Sequence, residues 1–201
     1  IENDRVFQAP SVSNVPEPEP LEGSAEGRPG PMVAGWQQDA VMPTLTQRTV
    51  EWIEAQAESQ TPFFLYWAIN VPHYPLQGTD EWRKKYADLE PPRRMYAAFV
   101  STMDEMIGRL LKTLDDRGLA DDTIVIFSSD NGGSIPHAQS NGDLRGGKQD
   151  HWEGGIRGPT CVVWPGKIPA KRSNEVGMTM DFLPTLCEIA GVEVKEHVDG
   201  E

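Results

Sequence analysis

Thr123-Ile-Val-Ile-Phe-Ser-Ser-Asp-Asn-Gly-Gly133 changes character at its midpoint. The first half is apolar or β-branched with no polar alternation, which predicts a strand buried on both faces over 123–127. The second half is a polar loop at the strand's carboxyl end, closed by a glycine pair that lets the backbone turn sharply away. Phe63-Phe-Leu-Tyr-Trp-Ala-Ile69 repeats the pattern, cut off by the two prolines of Asn70-Val-Pro-His-Tyr-Pro75. A third apolar run, Thr160-Cys-Val-Val-Trp164, stops at Pro165. Helices are predicted between these runs. Leu45, Thr49, Trp52, Ile53 and Ala57 share one helical face over 44–59, and Met95, Phe99, Met103, Ile107, Leu110 and Leu114 share another over 91–117, where Gly118 signals the end. A last helix spans 181–190, with Asp181 as its N-cap and Gly191 after it. This alternation predicts an α/β fold, a mostly parallel sheet with helices on both faces. Ligands of such sheets gather at the carboxyl ends of strands, here the loops after Ile69 and after Phe127.

The chain has 201 residues and a net charge of −13. Acidity at this level argues against a nucleic-acid partner, because phosphate backbones attract basic faces. No stretch approaches the roughly 18–20 apolar residues that a membrane span needs. Residues 1–43 form a separate compositional zone. Val15-Pro-Glu-Pro-Glu-Pro20 and Gly27-Arg-Pro-Gly-Pro31 predict an extended acidic loop with at most a short strand near 5–8, and order is expected from Thr44 onward. Cys161 and Cys187 lack zinc-ligand spacing and read as buried free thiols. The chain opens on Ile1 and stops at Glu201 with no closing element, so it reads as part of a longer protein.

Three places carry chemistry. Asp130 and Asn131 put two hard oxygen donors just past a strand, the donor type that calcium or magnesium takes; the bland reading is an Asx turn. His73 is held between Pro72 and Tyr74, which suits a proton donor or an anion ligand; the bland reading is packing against Tyr74. In 144–159, two glycine pairs bracket Lys148, with Arg145 and Arg157 close by. Three cations within so short a span of an acidic chain suit an oxyanion, although the spacing is not that of a phosphate-binding P-loop. The bland reading there is a surface loop whose cations pair with Asp150 and Glu153. His137, His151 and His197 are expected to be exposed or to stand behind the site. A hard cation, an oxyanion pocket and a proton donor together point to hydrolysis or transfer of a phosphate or sulfate ester.

These residues resemble the formylglycine-dependent sulfatases of the alkaline-phosphatase-like fold. The resemblance is carried by Pro62-Phe-Phe-Leu-Tyr-Trp-Ala68 with Pro72-His-Tyr-Pro75, and by Phe127-Ser-Ser-Asp-Asn-Gly132. Leu144-Arg-Gly-Gly-Lys148 with Trp152-Glu-Gly-Gly-Ile-Arg157, and Asp181-Phe-Leu-Pro-Thr-Leu186, follow in the family's order. Within the family, Ser140-Asn-Gly142 and Gly147-Lys-Gln149 resemble arylsulfatases and N-acetylgalactosamine-6-sulfatases. The resemblance implies that Asp130 and Asn131 are calcium ligands and that Lys148 and His73 hold the sulfate and serve the leaving group; Arg145, from the charge of its loop, is expected to bind the same substrate. It implies a sulfate ester, aryl or carbohydrate, as substrate, and a periplasmic or secreted location.

The family's nucleophile, a formylglycine made within Cys/Ser-x-Pro-x-Arg, has no match here: Cys161 precedes Val-Val-Trp and Cys187 precedes Glu-Ile-Ala. The family's first pair of aspartate ligands is missing too. Residues 44–201 are therefore expected to be the carboxy-side part of the catalytic domain, a partial domain inactive in isolation. Two further readings stay open: a phosphoester or phosphonate hydrolase of the same superfold, and a non-catalytic protein that binds sulfated glycans.

Overall fold

The computed structural model describes residues 8–14, 29–37, 39–59 and 61–201. Two long helices make its core. The first, α1 (Val41–Ser59), buries Met42, Thr46, Thr49 and Ile53. It starts three residues ahead of Thr44, and Pro43 is tolerated because a first-turn N–H has no intrahelical acceptor. Beyond the short α2 (Asp80–Lys85), α3 (Pro91–Asp116) buries Met95, Ala98, Phe99, Thr102, Met106, Leu110 and Leu114. Three- and four-residue steps keep these side chains on one face, which meets α1. The buried threonines satisfy their own hydroxyls: Thr46, Thr49 and Thr102 donate to the carbonyls of Met42, Leu45 and Ala98 at 2.8, 2.8 and 2.9 Å. Burial pushes the Tyr96 phenol up, with the Arg93 guanidinium opposing.

Gly118 ends α3 as expected. Its φ of +67° is strained for any residue with a Cβ, and it lets two reverse hydrogen bonds close the helix. The Gly118 N–H donates to Asp115 O at 2.9 Å and the Leu119 N–H to Leu114 O at 2.8 Å. Leu119 then packs on the cluster that contains Leu114.

The strands differ from the sequence reading. A short antiparallel pair, β1 (Val12–Asn14) with β2 (Gly30–Met32), forms inside the zone read as loop, while the strand expected near 5–8 lies almost wholly outside the described residues. β3 (Val125–Ser128) pairs antiparallel with β4 (Thr160–Val163), Val125 opposite Val163 and Ser128 opposite Thr160. Both strand pairs among the described residues are thus antiparallel, not parallel. The reason is local: β4 returns beside β3 after the 129–159 excursion, and no other described strand flanks β3.

Residues 63–69 run alongside α1 and α3 without ladder partners. Phe63 and Trp67 pack on the core formed by Ile53, Leu110 and Leu114, whereas Phe64 and Tyr66 are 74% and 81% exposed. The expected burial on both faces fails because a single helical layer, α1 with α3, covers one side only. The other side shows the same lack of cover. β4 is exposed along its length, and α5 (Phe182–Ala190), downstream of the four-residue α4 (Glu153–Ile156), buries no residue. Asp181 does not cap α5 through its side chain; its carboxylate reaches back to accept the Met178 N–H at 2.7 Å and the Glu201 N–H at 3.2 Å. Cys161 is exposed on β4 and Cys187 is half-buried, so neither is the fully buried thiol expected.

Phe99, 1% exposed, sits where α1 meets α3. Phe99→Ala is expected to cost about 3–5 kcal/mol, seen as a lower midpoint in denaturant unfolding. Trp52→Ala, which empties a rim position 38% exposed, is expected to cost less than half as much.

Candidate active site

The loop after β3 is held almost entirely by backbone. The Ser129 N–H donates to Pro159 O at 3.1 Å, the Gly132 N–H to Gly155 O at 2.8 Å, and the Lys148 N–H to Gly133 O at 2.9 Å. The Gly154 N–H donates to Arg145 O at 2.8 Å, which closes the 145–155 segment on itself. Chains this close leave no room for side chains between them. A Cβ on Gly132 would collide with the Gly154 carbonyl, and one on Gly154 with the carbonyls of Arg145 and Gly146. The glycines at 132–133 and the two pairs that bracket Lys148 are where one loop docks against the other.

Two side chains complete the join. Asn141 acts as a three-way clamp: its Oδ1 accepts the Gly133 N–H at 2.7 Å, and its Nδ2 donates to Gly133 O at 3.1 Å and to Gly146 O at 3.0 Å. Asp150 Oδ2 accepts the Gly147 N–H at 2.8 Å. The sequence reading took Asn141 only as part of a subgroup signature and Asp150 as an ion-pair partner. An Asn beside a Gly-rich segment was the available signal, since its short amide both accepts and donates as a peptide group does.

The candidate residues project from this frame. Asp130 is exposed and Asn131 half-buried, and their side chains make no hydrogen bond or ion pair among the described residues; the Asn131 carbonyl takes the Ser129 hydroxyl at 2.9 Å. Lys148 is half-buried and its ammonium has no carboxylate partner among the described residues. Arg145 is exposed, with its guanidinium 3.6 Å above the Trp152 ring. Arg157 turns to Glu153, 3.8 Å away, and leaves the group. His151 and His197 are exposed.

His73 arrives on the other loop. Val71 and Leu76 are buried in the α1–α3 core, so the chain between them arches outward and exposes His73. Its Nδ1 lies 2.7 Å from the Tyr74 carbonyl oxygen. A carbonyl can only accept, so Nδ1 carries the hydrogen and Nε2 is the nitrogen that faces other partners. The Tyr74 ring lies between two imidazoles, 5.2 Å from His73 and 4.6 Å from His137. His137 is half-buried, not exposed, and its Nδ1 shares a 2.7 Å hydrogen bond with Ser134 Oγ. Gln139 Nε2 donates to Pro72 O at 3.3 Å. His73 therefore joins the other candidates through Pro72 and Tyr74, not through a hydrogen bond to Lys148 or Asp130. Among the described residues no three His, Cys, Asp or Glu side chains converge on one point.

The Sulfatase family matches residues 11–192, and the chain belongs to it. It is 36% identical over 151 residues to N-acetylgalactosamine-6-sulfatase of Canis lupus familiaris, an alignment covering 73% of this chain and 28% of the relative. It is 34% identical over 177 residues to human steryl-sulfatase, covering 82% and 30%. The crystal structure of Ps i-CgsB in complex with k-i-k-neocarrahexaose superposes with a TM-score of 0.77 at 32% identity, over 88% of this chain and 39% of that one. The fold is accordingly a partial alkaline-phosphatase-like α/β domain. The chain spans about three-tenths of the length of these curated relatives.

The glycine docking separates two kinds of cost. Gly154→Ala places a methyl against two carbonyls and is expected to undock the 145–155 segment, seen as new proteolytic cleavage there and faster amide exchange at Gly132 and Lys148. Gly142→Ala, at φ +59° with open space around it, is expected to cost only about 1 kcal/mol and to leave that protection intact.

Proposed function

We propose that this chain forms one side of a sulfate-monoester hydrolase site. The observation that supports this most is the absence of pairing between Asp130 and Lys148. They stand on loops joined by the bond from the Lys148 N–H to Gly133 O, in a chain of net charge −13, and still form no ion pair. Opposite charges kept apart on a rigid frame suit two separate guests, a cation and an anion.

The donors fit calcium in kind. Asp130 and Asn131 present a carboxylate and an amide carbonyl, both hard oxygens and both without a protein partner among the described residues. Calcium bound there would supply positive charge to polarise the ester and steady the nucleophile. Two ligands fall short of the six to eight oxygens calcium takes, so residues 1–201 alone are proposed to be inactive. A formylglycine nucleophile belongs to the same reading, with its Cys/Ser-x-Pro-x-Arg context supplied from outside this sequence.

The chain's own residues have three tasks. Lys148, a compact point charge fixed at its amide, binds a sulfate oxygen and offsets the charge that builds up as the ester breaks. Arg145, kept planar against Trp152, donates to the sulfate from the pocket's edge. His73, with Nδ1 committed to the Tyr74 carbonyl, gives the Nε2 proton to the departing oxygen. A sulfated carbohydrate is the proposed substrate, supported by two of the three relatives: one is named an N-acetylgalactosamine-6-sulfatase and Ps i-CgsB was crystallised with an oligosaccharide, while the third is named a steryl-sulfatase. No helix among the described residues is long and apolar enough to cross a membrane. Export to the periplasm or exterior is part of the proposal and rests on the family resemblance.

The test uses the complete reading frame that contains residues 1–201. Lys148→Ala is expected to lower kcat on a sulfate ester about 10²–10³-fold with an unchanged melting temperature. Calcium is expected to raise the melting temperature of the unsubstituted protein, and Asp130→Ala to abolish that rise, a readout independent of turnover. A protein that turns over phosphate monoesters and leaves sulfate esters intact would overturn the proposal.

A further inference from the structure

We infer that Tyr74 and His137 are positioning residues that aim the His73 imidazole at the leaving oxygen, an inference that rests on the sulfatase reading above. His73 is exposed and its ring has one hydrogen bond, to the carbonyl of the next residue. That bond sets the tautomer and ties the Nδ1 edge of the ring, but on an exposed side chain it is open to competition from water. The stack adds a second restraint, on the plane of the ring. The Tyr74 ring lies 17° from parallel with His73 and 7° from parallel with His137. His137 is in turn anchored by Ser134, which follows the Gly133 whose carbonyl holds the Lys148 amide. Arg93 steadies the same turn by donating to Ala138 O at 2.6 Å. The three rings thus form a strut that fixes the proton donor relative to the loop bearing the anion-binding lysine.

The chemistry tells a positioning role from a structural one. When the S–O bond breaks, its electron pair stays on the ester oxygen and the sulfuryl group passes to the nucleophile. The oxygen takes the Nε2 proton, leaving a neutral imidazole whose Nδ1 hydrogen stays on the Tyr74 carbonyl. A sugar hydroxyl is a poor leaving group and needs that proton in the transition state. A nitrophenolate is a good one and departs without it. Misaiming His73 should therefore slow sugar-sulfate turnover selectively.

The experiment compares 4-nitrophenyl sulfate with a 6-sulfated N-acetylhexosamine in the complete protein and its variants. His137→Leu and Tyr74→Leu keep the backbone, including the Tyr74 carbonyl, and remove the stack. Each is expected to lower kcat on the sugar sulfate between about 10- and 100-fold, with KM and the nitrophenyl rate changed less than about 3-fold. His137→Phe restores a flat ring without the Ser134 bond and is expected to recover most of the loss. Equal losses on both esters, no loss on either, or a His137→Phe variant as slow as His137→Leu would each overturn the inference while the sulfatase reading stands. An unsubstituted protein inert toward both esters would overturn both.

Discussion

The structure depends on one constraint, the backbone-to-backbone docking of glycine-rich loops that the Asn141 amide clamps together. Residues 132–133 and 145–155 approach closely enough to exchange main-chain hydrogen bonds outside any sheet. Such bonds leave buried peptide groups satisfied, which water would otherwise have to do. They also make the joint stiff, since a backbone contact has no rotamers to explore. The points from which the polar side chains project are fixed with it. This accounts for an otherwise odd feature, a lysine and an aspartate on neighbouring loops that do not find each other. The loops set the two backbone positions apart, and no carboxylate among the described residues pairs with Lys148.

The second half of the arrangement is built by a different means. His73 is presented by burying its neighbours: Val71 and Leu76 are 7% and 6% exposed in the α1–α3 core, and the intervening residues must arch outward. Two prolines stiffen the arch by fixing φ. The hydrophobic core and the candidate site are therefore coupled over a few residues. The core sets where the arch stands, and the Tyr74–His137 stack sets how it meets the glycine joint. A core change near Val71 would be felt both in stability and in the orientation of His73.

Much of this was legible in the residues. The periodicity of α1 and α3 was unambiguous because one face of each is apolar and the other charged, and Gly118 marked its helix end because only glycine adopts that φ cheaply. The motifs at 127–133 and 144–157 carried the family. The strands were read less well, for a physical reason. An apolar run reports that its side chains can be buried, not what buries them. Phe63–Ile69 has a layer on one side only among the described residues, so Phe64 and Tyr66 stand in solvent. Strand direction was invisible for a similar reason, since it depends on where a long excursion returns. Asn141's clamp was missed and His137 was placed no more closely than exposed or behind the site, because each acts through one geometry, a doubled peptide-like bond and a ring stack, which leaves no spacing pattern.

The roles of the two glycine pairs show how a motif can be correct in place and incomplete in reason. Glycines around a lysine suggest backbone N–H groups opened toward an anion. In this chain three of those four N–H groups are spent: the amides of Gly147, Gly154 and Gly155 donate within the protein. An anion beside Lys148 would meet side-chain cations, not a nest of peptides. That difference bears on selectivity. A peptide nest wraps several oxygens of a phosphate and depends little on its charge, whereas a lysine and a stacked arginine hold fewer oxygens and leave the rest to other groups. A sulfate monoester carries one charge, with three non-bridging oxygens to share it, so it needs less neutralisation than a phosphate monoester. Sparse, side-chain-borne positive charge on a rigid peptide frame, with the remaining oxygens left to a bound cation, matches the less charged ester.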